Sequence, residues 1–314
     1  MDSERQHPLR LGTRASQLAL VQAEQVASSL RAIGQSVEIV HLTTMGDQRT
    51  DVKLSALGGV GAFTKEIQHA LLDDRIDLAV HSLKDLPTTP HEGLLLAATP
   101  RRTMRHDVAV CVRYASWTEL PPDAIIGTGS LRRSTQLIHR TPTLRVRPIR
   151  GNIETRLRKL ESGEYDAILL SAVSLYRLGL ENDWPILPPP WEEWLCPAAG
   201  QGAIGIEIRS ADRHLYKVLQ KINDPATFIE TTAERAMLRT LGLGCSAPVG
   251  ASAELTNPPD GVSRLRLHGC VLSEDGRRRT DVRDEIPLPS EPLEVRHPSE
   301  EPATQWLSIA QTLG

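Results

Sequence analysis

From residue 9 to about residue 210 this chain alternates short β-branched runs with amphipathic stretches, and no other feature limits its possible folds as much. Residues 37–42, 76–80, 124–126, 144–149 and 167–170 read as strands. Between them, residues 16–30, 63–72, 130–139 and 153–160 carry apolar positions at helical spacing. Strands that alternate with helices bury their apolar faces as an α/β architecture with mainly parallel sheets. Two short echoes run through this region. LGTRAS at 11–16 resembles IGTGSL at 126–131, and IDLAVHS at 76–82 resembles YDAILLS at 165–171. They are read either as two similar α/β lobes or as chance likeness between short apolar runs.

After about residue 224 the pattern changes. Thr231 or Thr232 can cap a helix running through Thr240, with Ala233, Ala236, Met237 and Leu241 along one face. Strand-like segments follow at 251–255 and 265–272, then a turn at 273–276 and a hairpin partner at 277–286. A proline-rich connector and a short terminal helix close this small α+β domain. The proline-rich run at 184–194 reads as a surface excursion.

Charge is distributed unevenly. Arginines outnumber lysines thirty to six at a formal net charge of -3, yet residues 128–159 hold eight arginines and one lysine against a single acid, Glu154. The planar guanidinium fork matches carboxylate and phosphate oxygens, where lysine offers a point charge. GTGSLRR at 127–133 follows a strand and opens a helix, where backbone N–H groups and the Thr128 and Ser130 hydroxyls make an anion site. Arg150, Gly151 and Asn152 repeat the arrangement after the next strand, with Arg156 inside the helix; Arg14 and Ser16 do so at the first helix. Strand carboxyl ends converge on one crevice in such sheets, so all three can face one ligand. Arg132, Arg133, Arg150 and Arg156 are read as functional, and Arg140, Arg145, Arg147 and Arg158 as solvated surface.

Other motifs add chemistry. HSLKDLP at 81–87 lies at a strand's carboxyl end, and an extended course would point Lys84 and Asp85 to opposite sides. An Asp near several arginines can remain ionised and stabilise a developing cation, or pass a proton to a leaving group; its bland alternative is a turn-stabilising residue before proline. The glycine-rich stretch at 57–63 lacks P-loop spacing and reads as a mobile loop or a lid, ending at Phe63. CPAAGQG at 196–202 reads as a hinge with Gln201 as a ligand contact. Cys111 and Cys270 fall in apolar strand patterns, whereas Cys245 stands on a glycine-flanked loop, either as an accessible thiol or as a small residue filling a turn.

Several classes are disfavoured. No run of eighteen apolar residues provides a membrane span, and the N-terminus lacks a signal-peptide layout. Two Phe and four Tyr supply little stacking surface for nucleic acid. The four cysteines show no metal-ligand spacing, so no metal is expected and a reducing, cytoplasmic setting fits.

Together Arg14 and Ser16, HSLKDLP, GTGSLRR, RGN at 150–152 and the cysteine loop at 242–250, in this order, resemble the porphobilinogen deaminase (hydroxymethylbilane synthase) family over roughly residues 9–275. The resemblance implies two lobes like those of periplasmic binding proteins, an interlobe cleft, and a small α+β C-terminal domain. On that layout domain 1 is 1–101 with 203–222, domain 2 is 102–202, and domain 3 is 223–314. It further implies one dipyrromethane cofactor per chain, held through a thioether by Cys245 and contacted by Lys84, Thr128, Ser130, Arg132, Arg133, Gly151 and Gln201. Porphobilinogen carboxylates would meet Arg14, Ser16, Arg150, Arg156 and Arg177. Asp85 would be the catalytic residue, Phe63 a loop contact, and the enzyme a monomer that joins four porphobilinogens into hydroxymethylbilane. Ala56 and Val60 stand where some family members carry lysines, and the region after Gly276 matches poorly. The competing reading is a non-catalytic two-lobed polycarboxylate-binding protein, which gives Asp85 and Cys245 nothing to do.

Overall fold

The structure, a computed structural model, describes residues 7–43, 64–187, 194–242, 247–258 and 261–288. The chain's contacts divide into two compact units. Among the described residues, the first is built from those up to 102 with Ala203–Ile229; the second from those of Thr103–Gly202 with those of 230–288.

In the first unit, β1 (Leu9–Arg14) and β2 (Val37–Leu42) pair in parallel, and β3 (Leu78–Ser82) pairs in parallel with β1 on its other side. The strand β9 (Ile204–Arg209) runs antiparallel beside β3, and β4 (Leu94–Ala98) closes the edge, giving the order β2-β1-β3-β9-β4. Helix α1 (Gln17–Ala32) starts where Ser16 accepts a hydrogen bond from the Ala19 N–H, and it buries Gln22, Ala23, Val26, Ala27 and Leu30. Gly34 at φ +86° takes the chain out of it, a left-handed step that suits glycine. Helix α2 (Lys65–Leu72) buries Ile67, Gln68, Ala70 and Leu71. The main core joins Leu11, Leu30, Leu78, Ile206, Ile208 and Leu219, the last from a helix at Arg213–Gln220.

The second unit holds a four-stranded sheet. Strand β5 (Asp107–Val110) runs antiparallel beside β8 (Ala167–Ser171), which is parallel to β6 (Ile125–Gly127), itself parallel to β7 (Arg145–Arg147). Helices α3 (Leu131–Arg140), α4 (Ile153–Glu161) and α5 (Ala172–Arg177) follow β6, β7 and β8.

The two sheets repeat one plan. β2-β1-β3 with antiparallel β9 beyond β3 matches β7-β6-β8 with antiparallel β5 beyond β8. Both sequence echoes fall on equivalent positions, at the β1 and β6 exits and along β3 and β8. A shared carboxylate device confirms the equivalence. Asp77 accepts from the Arg10 N–H (2.9 Å) while its own N–H meets the Arg10 carbonyl (2.8 Å). Asp166 does the same with Ile125, at 2.8 and 2.8 Å. The chance reading of the echoes is therefore set aside.

The C-terminal part is α+β. A helix at Pro225–Thr240 precedes three antiparallel strands, β10 (Val249–Thr256), β11 (Arg264–Leu272) and β12 (Arg279–Pro287). The cap is Asp224, seven residues before Thr231 and eight before Thr232, the two expected caps: it accepts from the Thr227 N–H (2.8 Å), and Pro225 opens the first turn. Ser273–Arg278 form the β11–β12 turn, with Gly276 at φ +71°. The expected terminal helix lies outside the described residues. No helix among the described residues is long and apolar enough to cross a membrane.

Candidate active site

In the first unit the carboxyl ends of β1 and β3 lie on the same sheet edge. Arg14 and Ser16 follow the one, half-buried; Lys84 and Asp85, also half-buried, follow the other. The extended course that would point Lys84 and Asp85 to opposite sides is not taken; both lie in a 3-10 turn, Leu83–Asp85. The cause is local. Leu83 and Leu86, three residues apart, both bury their side chains with Ala203, and the tight turn stacks such positions on one side. The Leu83 N–H bonds to the Ala203 carbonyl at 3.0 Å. Gly205 leaves room for Leu83, since a Cβ there would fall 2.9 Å from Leu83 Cδ1. One residue upstream, the Ser82 hydroxyl donates to Gln22 Oε1 of α1 (3.0 Å), tying the root of the turn to the helix that Ser16 caps. Behind it His81 Nε2 lies 3.3 Å from Glu207 Oε2, and Gln68 donates to the same carboxylate.

In the second unit Thr128, Ser130, Arg150, Gly151 and Arg177 gather at the carboxyl edge of β6, β7 and β8. Ser130 caps α3 through the Arg133 N–H, and Asn152 caps α4 through the Thr155 N–H. The buried Thr128 hydroxyl accepts from the Ser130 N–H at 3.2 Å. Gly151 sits at φ +109°, where a Cβ would meet the Thr155 methyl at 2.6 Å. Arg156 Nε donates to the Gly151 carbonyl (2.8 Å), and half-buried Arg177 donates to the Gly202 carbonyl (2.9 Å). Burial pushes the Arg177 guanidinium down to about 10. Arg140, Arg145, Arg147 and Arg158 are exposed, in keeping with a surface role.

Arg132 and Arg133 are placed differently from their neighbours. Both are buried, and both engage Asp107: Arg132 Nη2 at 2.7 Å from Oδ2 and Arg133 Nη2 at 2.6 Å from Oδ1. Their other Nη groups donate to the carbonyls of Cys196 (2.5 Å) and Leu169 (3.1 Å). Gln201 Nε2 adds a bond to Asp107 Oδ1 at 2.9 Å. Burial pushes the Asp107 carboxyl up, but the two guanidiniums and their hydrogen bonds outweigh it and hold the group well below the usual carboxylate range. Two arginines against one carboxylate leave one positive charge in a low-dielectric place, which favours an incoming anion. Arg133 Nε and Gln201 Oε1, both buried, have no hydrogen-bond partner among the described residues. A donor and an acceptor thus remain for a ligand bearing both carboxylates and N–H groups, so these residues fit a dipyrromethane.

Sequence reading missed Asp107. Its one available signal was an acid opening an apolar strand, Asp107-Val108-Ala109-Val110, where burial demands a cationic partner. Cys245 and Phe63 lie outside the described residues, as do Ala56 and Val60. Cys111, Cys196 and Cys270 are buried and unpaired. Burial pushes the Cys196 thiol up, and that of Cys270 up to about 11, so neither supplies much thiolate near neutral pH.

The chain is also similar to known proteins. A family model described as porphobilinogen deaminase, dipyromethane cofactor binding domain, matches residues 9–217, and that of the porphobilinogen deaminase C-terminal domain matches residues 228–295. A porphobilinogen deaminase of Chromobacterium violaceum is 47% identical over 268 residues, covering 85% of this chain and 84% of its own. One from Bacillus cereus is 45% identical over 269 residues, covering 85% of each chain. One from Thiobacillus denitrificans is 46% identical over 274 residues, covering 87% of each.

Proposed function

The chain belongs to the porphobilinogen deaminase family, and from that premise we propose how its own residues carry out the stepwise condensation of four porphobilinogens into hydroxymethylbilane. The reading is a transferase, and the family model brings a dipyrromethane cofactor. That cofactor, when bound, supplies the primer to which pyrrole units are joined. Cys245 holds it through a thioether; the high-lying thiols of Cys196 and Cys270 support this choice of nucleophile.

Asp85 is the catalytic group. As the aminomethyl C–N bond of porphobilinogen breaks and ammonia departs, a cation develops on the substrate methylene and pyrrole ring. A carboxylate placed there stabilises that charge and accepts the pyrrole N–H. Lys84 beside it, with Thr128, Ser130, Arg132, Arg133, Gly151 and Gln201, holds the cofactor. Arg14, Ser16, Arg150, Arg156 and Arg177 bind the acetate and propionate groups of incoming substrate, and Phe63 contacts it from the glycine-rich loop. Every pyrrole unit brings two carboxylates, which is the reason for so many guanidinium forks. The proposal extends to a monomer in the cytoplasm, a compartment that suits unpaired thiols.

The observation that supports the reading most is the seating of Asp85 on a short turn whose leucines pack with Ala203, just ahead of β9, and whose root is tied to α1. A group so fixed spends little free energy on being oriented when substrate arrives. Turnover of porphobilinogen, followed by its loss and by formation of the linear tetrapyrrole, tests it. Asp85→Asn should lower kcat by about 10²–10⁴-fold with an unchanged melting temperature; near-normal turnover would remove Asp85 from its role. The non-catalytic anion-binding alternative has no observation in its favour.

A further inference from the structure

Of the buried polar atoms without a hydrogen-bond partner among the described residues, three belong to one neighbourhood: Ser171 Oγ, Arg133 Nε and Gln201 Oε1. Asp107 brings them together. Arg133 and Gln201 both donate to its Oδ1, at 2.6 and 2.9 Å. Ser171 is its cross-strand partner, since Asp107 of β5 stands directly opposite Ser171 of β8. Opposed residues of an antiparallel pair direct their side chains to the same face, with Cβ atoms about 4.5–5.5 Å apart. Arg133 also reaches β8 through the Leu169 carbonyl. The serine is 3% exposed, and although it stands at the N-cap of α5 its side chain makes no capping bond. The hydroxyl thus serves no local backbone purpose, which is the usual reason for a serine at such a position.

A buried hydroxyl, guanidinium N–H and amide oxygen are each unfavourable when unpaired, and three around one carboxylate make a preformed polar site. Its chemistry is two donors and an acceptor beside a net positive charge. This matches a carboxylate oxygen taken by Arg133 and Ser171, with a pyrrole N–H taken by Gln201.

We propose that Ser171 is a further cofactor-binding residue, its hydroxyl donating to a carboxylate of the bound dipyrromethane alongside Arg133 Nε. The proposal rests on the cofactor assignment above. It gives the hydroxyl opposite effects in the loaded and unloaded protein. Without ligand it is a buried group lacking a partner; with ligand it makes a charge-assisted hydrogen bond.

The test is a thermal-denaturation cycle over four proteins: wild type, Ser171→Ala, Cys245→Ser, and the double variant, with intact mass recorded for each. Ser171→Ala should lower the melting temperature of adduct-bearing protein by about 2 °C or more, and should leave that of the Cys245→Ser background unchanged or raised. An equal shift in both backgrounds, with the adduct present in wild type, would overturn the proposal alone and assign the hydroxyl to a protein or water contact. Wild type that carries no adduct would overturn the cofactor assignment itself, and the Ser171 role with it.

Discussion

Asp107 shows how one buried charge organises its surroundings. It is fully enclosed, and its carboxylate is held ionised by Arg132 at 2.7 Å and Arg133 at 2.6 Å. Because its folded-state pKa is depressed, its contribution to stability is complete above the unfolded-state value of about 3.9 and is lost as pH falls below it. Asp107→Asn should therefore cost about 3–5 kcal/mol at pH 7, since two buried guanidiniums lose their shared counter-charge. Denaturant unfolding at pH 7 and pH 3 checks this: the gap between wild type and variant should narrow at the acid end. A gap independent of pH would mean that the loss comes from packing and not from charge. The Asn variant should also load cofactor poorly, as the forks of Arg132 and Arg133 lose their fixed orientation.

At the scale of elements, the start of the helix Pro225–Thr240 depends on Asp224, whose carboxylate meets the Thr227 N–H at 2.8 Å. Asp224→Ala should destabilise by about 1 kcal/mol in denaturant unfolding, and Asp224→Ser much less; equal losses would show that capping is not its role. Sequence reading put the cap at Thr231 or Thr232 because it weighed the apolar face at 233–241 and not the Asp-Pro pair. The opposite case is the paired echoes. LGTRAS with IGTGSL, and IDLAVHS with YDAILLS, were legible as a repeat because each carries a strand exit, and the second pair also carries the Asp that clamps the neighbouring strand. The turn at Leu83–Asp85 could not be told from extended chain in the sequence, since only the docking of Leu83 and Leu86 beside Ala203, more than a hundred residues away in sequence, selects the tighter form. Asp107 and Ser171 escaped for a similar reason. Their neighbourhood exists only once β5 has paired antiparallel with β8, and local periodicity carries no information on such a pairing.

At the scale of the whole molecule, the chain contains one α/β plan twice, followed by a helix and a three-stranded sheet. On the proposed reading, the first copy carries the acid that meets developing positive charge, and the second carries the arginine-rich edge that meets carboxylates. Duplication explains why an acidic enzyme, at net charge -3, can hold eight arginines within residues 128–159: they decorate one copy of the repeat and not the molecule at large. Of those eight, Arg132 and Arg133 are buried on Asp107, Arg150 and Arg156 are half-buried at the strand edge, and Arg140, Arg145, Arg147 and Arg158 are exposed. On the proposed reading this scaffold works on a ligand tethered to itself. Intact-mass spectrometry of the purified protein tests that, with peptide mapping to locate any modification. An added mass of one dipyrromethane per chain is expected on the peptide containing Cys245, and none in Cys245→Ser. A folded wild-type protein of unmodified mass, purified from cells that make porphobilinogen, would contradict it.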